Sequence, residues 1–248
     1  NFGTEFPGLI IIKENINKKT LSKFISDIDD LKSISKQIRF TIPSYRTISK
    51  SYEKIFMDRE FSHKNIFSRS INLNISKDQL WKGIRKCYKS PINKGLREQE
   101  FILIDYKNTQ EDIFRKIQQL HFTVAGRVTR SKETWNLQLS AIKKDNGFAI
   151  YSHIQNTPTG AMYVIKSTNH AYYSVGIYTD ESKVKLHSHS LMWMAILYCK
   201  ERNISLLEID NDVNYKYHKE DIDEKLIRIS HFKSGFGGQI LPKHEFII

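Results

Sequence analysis

Several side chains in this sequence have the type and spacing to do chemistry. Arg127 and Arg130, in Ala125-Gly-Arg-Val-Thr-Arg130, sit in a short glycine-marked link between two helical patterns. Arginine grips phosphate or carboxylate through two parallel N–H bonds, so this link could dock an anion; a pair of solvated loop arginines is the plain alternative. Trp135, one helical turn further on, could stack on a base or sugar, or it could fill a core. Glu208 and Asp210 stand two apart along an apolar strand pattern, which puts them on one face, where either could take an amine proton through water or cap a salt-bridged sheet end. His187 and His189 are also two apart, before or at the start of a helix, so they do not share a face as ligands at i and i+4 would. His153, His170, His218 and His231 have no ligand spacing either, and no metal site is expected. His189 could still assist proton transfer or orient an acceptor. No Gly-x-Ser-x-Gly elbow is present, and neither Cys87 nor Cys199 has an activating context or belongs to a CxxC, which argues against a covalent intermediate, a disulfide framework and a cysteine zinc site.

The most concentrated charge lies on 76–97, where Lys77, Lys82, Arg85, Lys86, Lys89, Lys94 and Arg97 face one inner acid, Asp78. Such a run is ordinarily a solvated face. Here Trp81 and Tyr88 are interleaved seven residues apart, on one side of a single helix, so a phosphate-tracking surface is an equal reading.

The elements that must hold these groups follow from periodicity. Leu9–Ile12 reads as a short strand, 15–19 as a turn, and Thr20 as the cap of a helix from Leu21 to Ser33. Gln37–Ile42 alternates as a strand and stops at Pro43; within 44–70 only Tyr52–Met57 reads as a helix. Ile71–Ile75 is a strand, and Ser76 with Gln79 forms a capping box for a basic helix interrupted at Pro91 and resumed from Ile92 to Gln99. Phe101–Tyr106 is a strand. Asp112–Thr123 and Ser131–Lys143 are amphipathic helices. Phe148–Gln155, Gly160–Ser167 and Ala171–Tyr178 are three strands, with turns at Pro158-Thr-Gly160 and Ser167-Thr-Asn169. A long helix, Val184–Arg202, and a strand, Leu206–Ile209, complete an α/β layered unit.

Composition bounds the class. The 248 residues are 40% hydrophobic with 11 Gly and 5 Pro, which excludes collagen-like, low-complexity and wholly disordered chains. The 39 bases exceed the 27 acids, for a net charge of +12, and nine of those twelve units fall in residues 1–110. That surplus predicts anionic partners: nucleic acid, phosphorylated small molecules or an acidic membrane face. The longest apolar run, Leu191–Cys199, is about half a membrane span and reads as core, so the expectation is a cytoplasmic protein without an integral membrane segment. The chain starts at Asn1, and Gly3-Thr-Glu-Phe6 has the look of a cloning remnant, which leaves room for an upstream segment.

Three local patterns carry a family resemblance. Ile71-Asn-Leu73, Asp78-Gln-Leu-Trp81-Lys-Gly-Ile-Arg85-Lys and Ile92-Asn-Lys-Gly-Leu96 resemble a basic-helix motif. Pro158-Thr-Gly160-Ala, Tyr172-Tyr-Ser-Val-Gly176 and His189-Ser-Leu-Met-Trp193 resemble central strands and a long helix. Ile229-Ser-His-Phe-Lys233-Ser-Gly235-Phe-Gly-Gly238 resembles a closing F-K-x-G-F-G motif. Together they are similar to the FemABX-like branch of the GNAT acyltransferases, whose named members transfer amino acids from aminoacyl-tRNA onto peptidoglycan precursors. The resemblance implies a mostly antiparallel mixed sheet flanked by helices, with two central strands that splay to admit an acyl donor. It implies a complete lobe over 111–248 and a partial lobe, with the basic helix, over 1–110. Lys233 would stabilise the acyl oxyanion or the tRNA terminus, and Tyr173, beside the splay, would donate to the acyl carbonyl. On their own chemistry, Arg127, Arg130, Trp135, Trp81, Arg85, Lys86 and Lys89 are the substrate-binding candidates. No tightly held cofactor is implied; the co-substrate is aminoacyl-tRNA or acyl-coenzyme A, and the acceptor is nucleotide- or lipid-linked, with peripheral contact to an anionic membrane open.

The sequence departs from the pattern in three places. The usual coenzyme A pyrophosphate loop is missing before the long helix, which favours another donor; a coiled-coil arm is missing; and Glu208-Ile-Asp210-Asn-Asp212 replaces an aspartate followed by glycines. The expected activity is amide formation on an amine of a cell-envelope precursor. An acyl-coenzyme A N-acyltransferase acting on an amino sugar of a surface polysaccharide, and a non-enzymatic nucleic-acid-binding module, remain as competitors.

Overall fold

The computed structural model describes residues 61–211 and 223–247, the strand Arg39–Pro43 and scattered positions between 19 and 30. In chain order the elements are β1 (Arg39–Pro43), β2 (Ser62–Asn72), α1 (Lys77–Gly83), α2 (Lys86–Glu98), β3 (Glu100–Ile104), α3 (Glu111–Ala125), α4 (Lys132–Lys143), β4 (Gly147–Ile154), β5 (Thr157–Lys166), β6 (His170–Tyr178), α5 (Asp180–Val184), α6 (Ser188–Glu201), β7 (Leu206–Asn211), α7 (Glu224–Ser234) and β8 (Gln239–Ile247). The expected strand at Leu9–Ile12, the Thr20 cap and the helix at Tyr52–Met57 lie outside the described residues.

The chain divides into two compact units, one over Arg69–Gln239 and one joining Pro7–Ser68 to Ile240–Ile248. The expected boundary at 110/111 falls inside the larger unit. In the smaller unit β1 pairs antiparallel with β8, Arg39 opposite Ile247 and Pro43 opposite Lys243. In the larger unit the strands run β7-β6-β5-β4-β3. β3, β4, β5 and β6 are antiparallel neighbours, while β6 and β7 are parallel. This is the mixed, mostly antiparallel α/β fold that the element order implied.

Alternation along the strands builds two apolar layers. Phe148 and Ile150 of β4 join Leu80, Ile92, Met192 and Trp193 from α1, α2 and α6. Their neighbours Ala149 and Tyr151 join Ile113, Phe114, Ile117, Trp135 and Leu139 from α3 and α4. The run Leu191–Cys199 lies in α6, with Leu191, Met192, Ala195 and Cys199 fully buried, as befits a helix apolar nearly all round. Among the described residues no helix is long and apolar enough to cross a membrane.

Three local expectations are corrected. The basic helix does not run on to Pro91. It ends at Gly83, because buried Ile84 turns extended (φ −73°, ψ 136°) and the Arg85 N–H bonds the Gly235 carbonyl at 2.8 Å. Pro91 sits inside α2, where the packing of Tyr88, Ile92 and Gly95 outweighs the missing N–H. The β4–β5 turn is Gln155-Asn156, both left-handed (φ 48° and 65°), and Pro158–Gly160 belong to β5. The long helix starts at Ser188 and not at Val184: a separate short helix, α5, capped by Thr179 through the Ser182 N–H, ends at Val184, and left-handed Leu186 (φ 62°) separates it from α6.

Candidate active site

Parallel β6 and β7 pair at three positions only, His170–Leu206, Ala171–Leu207 and Tyr172–Glu208. Beyond them β6 continues through Tyr173–Tyr178 and β7 through Ile209–Asn211 with no further pairing between the two, so the strands part there, and the gap between them is the candidate cleft. A bulge in β6 falls at the same place. Val175 lies opposite Tyr163 and Tyr173 opposite Val164, leaving Ser174 as the extra residue. The bulge shifts the phase of the strand: Ala171 and Tyr173 point into the α1/α2/α6 layer, whereas Val175 and Ile177 point into the α3/α4 layer. Tyr178 therefore returns to the face of Tyr173, and the two phenolic oxygens are 3.2 Å apart. Gly176 leaves the room for this, since a β-carbon there would fall 1.5 Å from the Tyr173 oxygen.

Lys233 stands over this pair, with Nζ 4.6 Å from the centre of the Tyr173 ring and only 8% of the residue exposed. Its helix, α7, is capped by Asp223, which accepts the Lys225 N–H at 2.8 Å, and Lys233 lies in the last turn, where the helix dipole favours a cation. The C-terminal end of α7 is pinned to the α1–α2 junction. The Arg85 guanidinium donates to Ser234 Oγ at 2.9 Å and to the Tyr88 hydroxyl at 3.2 Å, and it lies 3.3 Å from His231 Nε2. Gly235 permits the closest contact, because a β-carbon there would fall 2.0 Å from the Tyr88 ring. Gly237 and Gly238 are both left-handed (φ 84° and 79°) and turn the chain out of the motif.

His189 completes the layer. It packs edge-on against Tyr88 at 4.3 Å and against Phe232 at 5.1 Å. Burial holds its pKa below the ordinary value, and a 2.9 Å contact from Nδ1 to the Leu186 carbonyl fixes the neutral tautomer with Nδ1 as donor and Nε2 as acceptor. The same burial raises the pKa of the Tyr178 hydroxyl to about 12. Both groups hold their ordinary neutral forms, one as a potential base and the other as a donor.

Four of the sequence candidates thus converge: Lys233, Tyr173, His189 and Arg85. Arg85 does so differently from expectation, because its guanidinium is engaged within the fold and is not part of an open phosphate-facing run. The others lie elsewhere. Glu208 is 3% exposed, opposite Tyr172 in register and 3.5 Å from His170 Nε2. Leu207 and Ile209 point into the α1/α2/α6 layer, so Glu208 faces the other side of the sheet from Lys233. Asp210 is on β7, and its side chain lies outside the described residues. Trp135, 2% exposed, packs against Phe114 and His121 in the α3/α4 layer and is core, unable to stack on a ligand. Arg127 is exposed and Arg130 half-buried on the α3–α4 link. Trp81 is half-buried against Trp193, with Lys89 Nζ 5.7 Å from its ring, and Lys86 is exposed. Trp81 and Tyr88 belong to different helices, and Tyr88 is buried, so they form no shared aromatic face.

Tyr178 escaped the sequence reading, because simple alternation from Tyr173 puts it on the opposite face. The available signal was Gly176 within a strand, a mark of a bulge or of a close approach. Cys199 is buried, which pushes its thiol up and away from nucleophilic use. Among the described residues no three His, Cys, Asp or Glu gather to hold a metal.

Several solved structures share this fold. FemX matches with a TM-score of 0.64 and 12% identity, covering 94% of this chain and 78% of its own. The C-terminal domain of an Agrobacterium fabrum protein assigned as a lysylphosphatidylglycerol synthetase matches with a TM-score of 0.62 and 10% identity, over 93% of this chain and 74% of its own. A tandem GNAT protein from the clavulanic acid biosynthesis pathway, solved without acetyl-coenzyme A, matches with a TM-score of 0.51 and 10% identity, over 92% and 68%. No protein-family model matches the chain. No curated protein matches it either. The fold is thus like that of FemX and of a tandem GNAT protein.

Proposed function

We propose that this FemABX-like fold works as an N-acyltransferase, forming an amide on an amino group of a cell-envelope precursor with an aminoacyl-tRNA or another activated acyl carrier as donor. The observation that carries the reading is the coincidence of three features: the point where β6 and β7 part, the bulge that brings Tyr173 and Tyr178 together, and Lys233 above Tyr173. Amide formation from an acyl ester needs a neutral amine, donors for the tetrahedral oxyanion and a route for the displaced proton. In this reading the acyl carbonyl enters the cleft, and the Lys233 ammonium with the Tyr173 hydroxyl stabilises the oxyanion. The Tyr173–Tyr178 pair keeps that donor oriented. Neutral His189, with Nε2 as acceptor, takes the amine proton through water, and the carrier departs as its protonated alcohol. Glu208, engaged with His170 in the other layer, has no part in this scheme.

The likeness to FemX, and to a domain from a protein whose name couples an amino acid to a membrane lipid, supports the aminoacyl form of the reaction. The surplus of bases on α1 and α2 supports a phosphate-rich donor. The likeness to a tandem GNAT protein keeps an acyl-coenzyme A donor, with an amino-sugar acceptor, as the second reading. Incubation of the chain with charged tRNA and an amine-bearing precursor, with and without ribonuclease, tests the donor. Product that appears only with intact charged tRNA supports the first reading; turnover supported by coenzyme A thioesters alone overturns it.

A further inference from the structure

At the edge of the sheet toward which β6 and β7 part, large apolar side chains are left in water. α3 begins at the opposite edge, where its first-turn Glu111 pairs with Lys143 at the end of α4. The α3–α4 link and the α5–α6 link therefore both lie at the cleft edge. Phe122 and Val128 at the first link are 46% and 60% exposed, Leu137 further along α4 is 52% exposed, and Val184 and Leu186 at the second link are 82% and 45% exposed. Between Phe122 and Leu137 the charged residues are Arg127, Arg130, Lys132 and a single acid, Glu133. Neither the transfer scheme nor core packing uses these apolar groups.

We infer that this edge docks on an anionic lipid surface, with Phe122 and Val128 entering the interface and Arg127 meeting its phosphates. Apolar tips with bases interleaved suit an anionic lipid interface, where single side chains insert and bases meet the headgroups. The positive balance of the α3–α4 link matches an anionic headgroup layer. Docking in this orientation brings the cleft to the plane in which a lipid-linked amine would be held. The inference stands on exposure and charge and is independent of the transfer reaction: transfer to a water-soluble amine survives its failure, and vesicle binding survives failure of the transfer reading.

The test is flotation of the full chain with vesicles of phosphatidylcholine alone and of phosphatidylcholine mixed with phosphatidylglycerol. Binding is expected to be stronger to the anionic mixture. Phe122→Asp with Val128→Asp should lower partitioning at least about tenfold on both compositions, because two apolar insertions are lost. Arg127→Glu should lower binding to the anionic vesicles by about fivefold or more while leaving neutral vesicles unaffected. Lys144→Glu, an equal charge change on an exposed site at the opposite edge, should alter neither. The inference is overturned if the wild-type chain fails to float with anionic vesicles, or if Lys144→Glu weakens binding as much as Arg127→Glu. It is also overturned if the exposed apolar residues prove to hold two copies of the chain together, seen as a dimer that the double Asp variant dissociates.

Discussion

Lys233 Nζ lies 4.6 Å from the centre of the Tyr173 ring, and Tyr173 is the first residue of β6 beyond its last pairing with β7. A cation held over an aromatic face is worth about 2 kcal/mol or more once desolvated, and Lys233 is largely buried, so the contact holds the lysine in place. Its value lies in fixing a donor pair at the mouth of the cleft.

The hydroxyl pair should therefore matter more to rate than to folding. Tyr173→Phe keeps the ring and the Lys233 contact while removing the oxygen. A loss of about a hundredfold in kcat is expected, with the melting temperature nearly unchanged. Gly176→Ala should have a similar effect on rate, because its β-carbon takes the place of the phenolic oxygen and the flexible end of Tyr173 must swing away. Steady-state kinetics alongside thermal denaturation check both variants. Full activity in Gly176→Ala would show that the orientation of the phenol is immaterial.

Gly235 and Tyr88 form a steric pair. Gly235→Ala drives a methyl group into a ring that is itself packed between His189, Phe232 and Phe236, and should cost about 1–3 kcal/mol in denaturant unfolding. Tyr88→Leu should remove much of that penalty. In a double-mutant cycle the two changes should be clearly non-additive, and additivity would separate them.

Stability should depend on His189 through pH. Burial lowers its folded pKa below the ordinary 6.5, outweighing the hydrogen bond to the Leu186 carbonyl that acts in the other direction. As pH falls through the unfolded value, the unfolded chain takes up a proton that the folded chain resists, so stability is full above that value and is lost on the acid side. His121, lowered by burial and then by the charge of Arg130, adds to the same trend. Denaturant unfolding between about pH 7.5 and pH 5.5 should show a shallower loss in His189→Phe than in the wild type. An unchanged slope would contradict the assignment of a neutral, buried imidazole.

Lys86, Lys89 and Arg97 recur on α2 at i, i+3 and i+11, one stripe of the helix. If the donor is tRNA, Lys86→Glu with Arg97→Glu should raise its KM and leave kcat nearly intact. The dependence of KM on salt should become shallower by about one logarithmic unit per lost phosphate contact. A fall in kcat at constant KM would take the stripe out of donor binding.

Much of the fold was legible because strong local signals agreed with one another. The Ser76–Gln79 capping box and the amphipathic patterns of Asp112–Thr123 and Ser131–Lys143 each found their helix. The breaks were not legible, since tertiary contacts make them. Ile84 leaves the helical conformation to bury its side chain and let Arg85 reach Gly235, and nothing local in the sequence announces that. Pro158 and Gly160 look like a turn, yet the chain reverses at Gln155-Asn156 and Thr159 bulges within β5, its hydroxyl donating to Gln99 Oε1 at 2.6 Å. The candidate site followed the same rule. Lys233, Tyr173 and His189 were recognisable as residues, but their convergence depends on the Ser174 bulge and on α7 docking against Tyr88, both long-range events. Which face Glu208 takes was likewise not legible: with Leu207 and Ile209 in the α1/α2/α6 layer, it lies on the other side of the sheet, 3.5 Å from His170 Nε2, in keeping with the salt-bridged alternative.

The most direct measurement is single-turnover transfer of a labelled acyl group from its carrier to an amine-bearing envelope precursor, with wild-type chain and Lys233→Ala compared at matched folded fraction. Amide product is expected with the wild type and a rate about a hundredfold or more lower in the variant, the loss that follows when an oxyanion-stabilising group is removed from a preorganised site. Equal rates in the two proteins, or no amide product from any activated donor, would contradict the transfer reading.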